Sequence, residues 1–407
     1  MKRYFPFAWL TVFALVVAVP FALAATAAPA PSAKDRSPAA PIATALSTVT
    51  GIAISPLLGT GAYGFYQWVR ADGDAARAAL PWYAQMNFWL PALLIVGVCA
   101  AKDAFGAVVP PGMKKPLDVL ETMENKFSGL VAAGAVVPFA MDSMAKMMFA
   151  ADPAAGSAPA LVPSGLAAIQ IGAIDLTWLL NVLTIPFGIA VFAVVWLGSH
   201  AINVLILLSP WGAIDAALKS ARTVLLGLVT LAATINPWAG AVLSLIVVVV
   251  AYFVAGWSFR LTVFGSVFCW DFLTGKRKSF SPKENDNEMF AGADLPGVPV
   301  RTYGRLVQRT QGGLEFVYHP WLWLAPRVAK VPVDRKELAV GEGLLFSDVV
   351  TESGATMFSL PPRYRGHEDV VARAYLMGGG VKPAGLRKAW NALGGMIGGR
   401  AAQPDRG

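Results

Sequence analysis

The stretch that most limits how this chain can fold is Val224 to Trp257, which carries no charged side chain. A helix crosses about 30 Å of hydrocarbon with roughly 20 apolar residues, so this stretch is longer than one crossing. Asn236-Pro237 divides it into 13 and 21 residues. Proline lacks an N–H and blocks the preceding turn, and the division suits a re-entrant half-helix followed by a full span. Four earlier windows are also long and apolar. Ile42 to Val69 is interrupted by Gly51, Pro56 and Gly59, and Trp82 to Ala101 has Trp82, Tyr83 and Trp89 as interfacial anchors. Phe127 to Ala150 carries Asp142 and Lys146 four residues apart, a spacing at which they neutralise each other and snorkel to the membrane edge. Leu176 to Leu208 has Pro186 where a kink is expected. With 56% hydrophobic and only 14% charged residues, the chain reads as an α-helical polytopic membrane protein of about five spans.

The ends read differently. Lys2 and Arg3, an apolar core from Phe5 to Phe21, and Ala22-Leu23-Ala24 describe a secretory signal peptide over residues 1–24, with an uncleaved anchor as the alternative. The Ala/Pro/Ser-rich residues 25–41 form a flexible linker. The transmembrane domain occupies 42–274, a polar linker 275–298, a soluble domain 299–395 and a tail 396–407. In the soluble domain, short runs rich in β-branched and aromatic residues recur between turn signals: Val300 to Gln308, Leu314 to His319, Val328 to Val333, Leu344 to Thr351 and Met357 to Leu360. Gln311-Gly312-Gly313 joins the first two as a hairpin. A helix from His367 to Met377 stops at Gly378-Gly379-Gly380, and a second, basic helix covers Leu386 to Leu393. Strands closed by a helix resemble a pleckstrin-homology-like barrel. That likeness is one of fold, and the fold hosts unrelated functions.

Between the second and third windows lies a charge-balanced hairpin, Lys102 to Lys126. Its second arm, Lys114 to Lys126, places Leu117, Leu120 and Phe127 near helical spacing with Pro116 in the first turn, and reads as a short amphipathic helix. A fainter echo follows 97 residues later. There Ser209 can cap, Pro210 takes the first helical position, Ile214, Ala217, Leu218 and Ala221 make one face, and Asp215 precedes Lys219 by four. Asp103 to Asp118 and His200 to Asp215 are both fifteen residues apart. This spacing supports an internal repeat, 42–150 and 174–274. Transporters often place a substrate site where two such repeats meet. A charge at the centre of a spanning helix costs about 2.5–3.5 kcal/mol, so Asp103, Asp118, His200 and Asp215 are the candidate transport or polar-cavity residues. The structural alternative is that these groups mark the headgroup boundary.

No catalytic, cofactor-binding or metal-binding residues are assigned. His200, His319 and His367 are each isolated, Cys99 and Cys269 sit in apolar runs, and neither H-E-x-x-H, G-x-S-x-G nor a phosphate-binding glycine loop occurs in a suitable setting. Residues 275–407 hold 19 Lys/Arg against 13 Asp/Glu, +6 of the chain's net +8. Such a domain beside a bilayer faces anionic lipid headgroups, and no module for nucleic acid accompanies the charge. Lys276-Arg277-Lys278, directly after the last apolar run, place the C-terminal domain in the cytoplasm by the positive-inside rule, in a bacterial inner membrane.

Leu46 to Val137 resembles a family of polytopic bacterial membrane proteins known only as a domain of unknown function. The likeness rests on Asp103 at the end of a span, Pro111, Asp118, Lys126 and the small-residue-rich helix from Gly129. Cys99 stands where the family often has a carboxylate. The resemblance implies fold and membrane residence and no activity. Two functional classes follow from the residues: a transporter or lipid-translocating protein regulated by its C-terminal domain, or a non-catalytic scaffold or envelope-assembly factor whose basic domain binds lipid headgroups or a partner protein.

Overall fold

The computed structural model describes residues 40–104, 111–149, 177–209, 212–309, 313–343 and 346–384. The expected signal peptide, the linker as far as Ala39, and the basic helix from Leu386 lie outside them. The chain divides into two compact units, Met1–Ser258 and Phe259–Gly407.

In the first unit the window Ile42 to Val69 is not one span. It forms two helices of 15 residues, α1 (Ala40–Ile54) and α2 (Pro56–Arg70), separated by Ser55 in an extended conformation (φ −146°, ψ 90°). Each is about 22 Å long at 1.5 Å per residue, shorter than a hydrocarbon core. They meet at a tight corner. Gly59 lies so close to α1 that a Cβ there would stand 2.7 Å from the Ile52 Cα, which only glycine avoids. A short helix, α3 (Gly73–Ala78), leads to α4 (Met86–Ala104), the expected second span, whose apolar part is confined to Met86–Cys99. The next helix starts earlier than expected. The separate amphipathic helix at Lys114 to Lys126 is instead the first part of a continuous rod: α5 (Pro111–Val131), a π-helical turn over Ala132–Val136, and α6 (Val137–Phe149).

Three further helices follow: α7 (Thr177–Leu208), α8 (Gly212–Ile235) and α9 (Pro237–Leu273). The break at Asn236-Pro237 falls where the sequence places it, and its chemistry is legible. The Asn236 Oδ1 accepts from the Trp238 N–H at 2.8 Å, capping α9, and Pro237 fills its first position. The half-helix before it is longer than expected, because the polar echo joins it as one 24-residue helix. Among the described residues, four helical segments are long and apolar enough to cross a membrane: Pro116–Ala145, Trp178–Leu208, Ile214–Ile235 and Pro237–Leu273. Beside these four, the described residues hold two shorter apolar helices, α1 and Met86–Cys99. The α5–α6 rod and α7 run antiparallel: Asn125 meets His200, Gly129 meets Trp196, and Asp142 meets Asn181. Val49, Ile52, Tyr83, Val136, Val137, Phe192 and Val195 form the centre of the apolar core.

The second unit is built on an eight-stranded sheet in the order β4-β3-β2-β1-β7-β6-β5-β8. The strands are β1 (Asp286–Ala291), β2 (Tyr303–Gln308), β3 (Leu314–Tyr318), β4 (Arg327–Lys330), β5 (Leu338–Glu342), β6 (Ser347–Thr351), β7 (Thr356–Leu360) and β8 (Val381–Pro383). All neighbours are antiparallel except β5 and β8. The expected hairpin at Gln311-Gly312-Gly313 is reflected in the β2–β3 register, where Gln308 faces Leu314. β1 is a correction, since it lies in the expected linker and joins β2 to β7 at the middle of the sheet. Its polar start hid it. Asn287 is buried, and its N–H and side-chain amide both donate to the Tyr375 hydroxyl at 3.0 Å, which in turn donates to the Leu306 carbonyl at 2.7 Å. The expected His367 to Met377 helix is α10 (Glu368–Ala374). The C-terminal turns of α9 pack on the sheet through Phe264 against Phe290 and Phe268 against Phe346.

Candidate functional site

Several polar residues of α5 and α8 point inward. On α5, Asp118, Thr122 and Asn125 are buried while Leu120, Phe127 and Leu130 are exposed. On α8, Asp215 is buried while Ile214 is exposed. The apolar faces read from the sequence are real stripes, but they face out of the bundle. In water this arrangement would waste the hydrophobic effect. In hydrocarbon it costs nothing, and it lets polar groups find one another.

What they find is a polar seam along three helices. The His200 Nδ1 on α7 donates to the Asn125 Oδ1 at 2.9 Å, which leaves Nε2 as the acceptor, buried and without a hydrogen-bond partner among the described residues. The imidazole stacks on Trp196 with ring centres 5.0 Å apart, and Gly129 opens the space that the indole fills. Lys219 on α8 donates to the Glu121 carboxylate on α5 at 2.8 Å, with both side chains about one-eighth exposed. Arg222 donates to the Asn203 side-chain oxygen. Ser199 donates to the Ile54 carbonyl at the corner of α1 and α2, supplying a donor to the last carbonyl of α1. Asp118, His200 and Asp215 are therefore all buried on packed helices. Asp103 falls in the last turn of α4, and its side chain lies outside the described residues, as does that of Lys146. Asp142 pairs across helices: Asn181 donates to it at 2.6 Å.

None of these residues lines a cavity found in the same unit. That cavity, of about 400 Å³, lies between α1, α2 and α8, within the range of small-molecule sites. Its surface is mainly apolar, and four of its eight polar side chains, Thr44, Ser47, Thr230 and Thr234, donate back to a carbonyl of their own helix. Arg70, which also lines it, stacks its guanidinium on the Tyr66 ring at 4.7 Å. Sequence reasoning missed the cavity, since the residues lining it look like ordinary span residues. Of the four residues singled out from the sequence, His200 carries a described contact across the seam.

Seam and cavity share one helix face. On α8, Lys219 and Arg222 belong to the seam, Asp215 is buried one turn before them, and Leu226, Val229, Thr230 and Ala233 line the cavity. Their spacing of three and four residues is a single helical stripe, polar in its first half and apolar in its second. No group of three or more His, Cys, Asp or Glu residues able to hold a metal occurs among the described residues. Comparison with family models, curated proteins and solved structures finds no match to this chain.

Proposed function

We propose that this is an integral membrane protein that moves lipid, or another amphiphile of that kind, between the leaflets of a bacterial inner membrane. The observation that carries the reading is the two-part stripe on α8. A charged, hydrogen-bonding segment that runs into an apolar cavity matches a molecule with a polar head and an apolar tail. The inward polar faces of α5 and α8 support membrane residence. Lys276-Arg277-Lys278 support a cytoplasmic C-terminal domain. The strand order and the helix after β7 support a pleckstrin-homology-like fold for that domain, with a regulatory role.

The test is transfer of a fluorescent phosphatidylglycerol between leaflets of vesicles containing the purified full chain. Transfer should require the protein, and Asp215→Asn and Asp118→Asn should each abolish it at normal folding, as should Asp103→Asn. Their combination should be no worse than the worse single change, because the groups act as one site. Full activity of all three variants would overturn the reading. The scaffold alternative is favoured by one observation: Lys219, Arg222 and His200 are already engaged by protein partners. Under it the Asn variants are mild and removal of residues 299–395 is severe.

A further inference from the structure

The loop between β3 and β4 presents an unusual surface for a sheet domain. Trp321, Leu322, Trp323 and Leu324 are consecutive and all exposed, Trp323 to 81%. Four such side chains in water are a liability unless something covers them. The loop is also built rather than loose. Trp321 and Leu322 hold left-handed backbone angles (φ 56° and 66°), which bulky residues rarely adopt. The His319 Nδ1 donates to the Leu324 carbonyl at 2.9 Å, and the Leu322 and Leu324 N–H groups donate to His319 and Pro320 carbonyls at 3.0 and 3.1 Å. The next strand, β4, is an edge strand and exposes Arg327 and Lys330.

The position of the loop along α9 indicates what covers it. From Pro237 to Phe259 the helix carries no charged residue, and Arg260 ends the run. Those 23 residues rise about 34 Å at 1.5 Å each, the thickness of a hydrocarbon core with its boundary. Phe259 therefore stands where hydrocarbon gives way to headgroups. Trp321 packs on Phe259 with ring centres 4.7 Å apart, and Arg260 donates to the Val300 carbonyl at 3.1 Å. These two contacts fix the loop at that level.

We propose that the His319–Pro326 loop inserts its Trp and Leu side chains into the interfacial layer of the bilayer that α9 crosses, with Arg327 and Lys330 on anionic headgroups. Tryptophan is suited to that layer, where its ring is half in hydrocarbon and its N–H in water. The inference rests on α9 being a span. It names a membrane anchor in the sheet domain, separate from the seam and the cavity.

The test uses the full chain, with Cys99→Ala and Cys269→Ala, in vesicles of phosphatidylcholine and phosphatidylglycerol. An environment-sensitive dye is attached at Trp323→Cys, with Leu324→Cys as a second site should the first fail to fold. Lys382→Cys on β8, at the other edge of the sheet, and Val249→Cys within α9 are the controls. The loop dye should lose most of its emission to a lipid nitroxide placed near the headgroup and resist aqueous iodide, whereas the Lys382 dye should do the reverse. Iodide quenching of the loop dye, with the Val249 dye quenched by a deep nitroxide, overturns the loop assignment alone. Shielding of the loop dye from both quenchers means that protein covers it, a second copy in this purified system, and also overturns it. A Val249 dye untouched by deep nitroxide removes the span and the anchor together.

Discussion

Replacing Arg363 by methionine tests how α9 is joined to the sheet. The guanidinium, only 5% exposed, sits among Asp271 on α9 (Nη1 to Oδ1 3.4 Å), Glu288 on β1 (Nη2 to Oε2 2.9 Å) and the Tyr303 hydroxyl on β2 (2.9 Å). These contacts differ in worth. Glu288 is half exposed, so its pairing is screened and contributes less than about 1 kcal/mol. The Asp271 side chain is 1% exposed, and a buried carboxylate stripped of its cation costs about 3–5 kcal/mol. Its Oδ2 still accepts from the Arg363 backbone N–H at 3.2 Å, which any side chain at 363 preserves, so the low end, about 3 kcal/mol, is expected. Arg363→Lys keeps the charge and loses the fork, and should cost about half as much. Adding Asp271→Asn to Arg363→Met removes the stranded charge and should recover most of the loss. Hydrogen exchange of β1 and β7 amides in the detergent-solubilised full chain reads these changes, about 3 kcal/mol being a more than hundredfold rise in opening. An Arg363→Met effect under about 0.5 kcal/mol, the size of an ordinary surface change, or a double variant worse than the single, refutes the reasoning.

Two glycines should respond oppositely: Gly59→Ala forces a Cβ against the Ile52 backbone and should cost about 1–3 kcal/mol, whereas Gly227→Ala, in open space on α8, should stabilise by about 0.5–1 kcal/mol in thermal unfolding. Alkali should unfold the sheet domain. Burial pushes the Tyr303 hydroxyl up to about 12 against the opposing pull of Arg363, and burial pushes Tyr375 to about 12. The neutral phenol is thus favoured in the fold, and its contribution is full below about pH 10, the unfolded value, and lost as pH rises toward 12. Circular dichroism against pH should show this loss, with a shallower slope for Tyr303→Phe. A cytoplasm-dependent reporter fused after Gly407 should be active, and N-terminal sequencing of the mature protein should begin after Ala24; Met1 on the mature chain would refute the cleavage reading.

The sequence alone determined which stretches are helical and apolar, where Asn236-Pro237 splits the last pair, and that a β-rich domain follows. These features are local: hydrophobic run length, a proline without an N–H and an asparagine able to cap act within a few residues. It also singled out Asp118, His200 and Asp215, because polar groups in apolar surroundings stand out by type alone. What it left undetermined depends on partners far along the chain. An amphipathic pattern has a polar and an apolar face but no marker of which is inside, and in the fold Leu120 and Ile214 face out and Asp118 and Asp215 face in. Pro56 breaks the helix locally, but the tightness of the corner at Ser55 depends on Gly59 reaching Ile52, a contact the sequence does not announce. β1 reads as a linker until Tyr375, 88 residues away, satisfies Asn287. The cavity leaves no trace in composition, since an empty space is defined by the helices that fail to meet there, and only the tertiary packing of α1, α2 and α8 creates it.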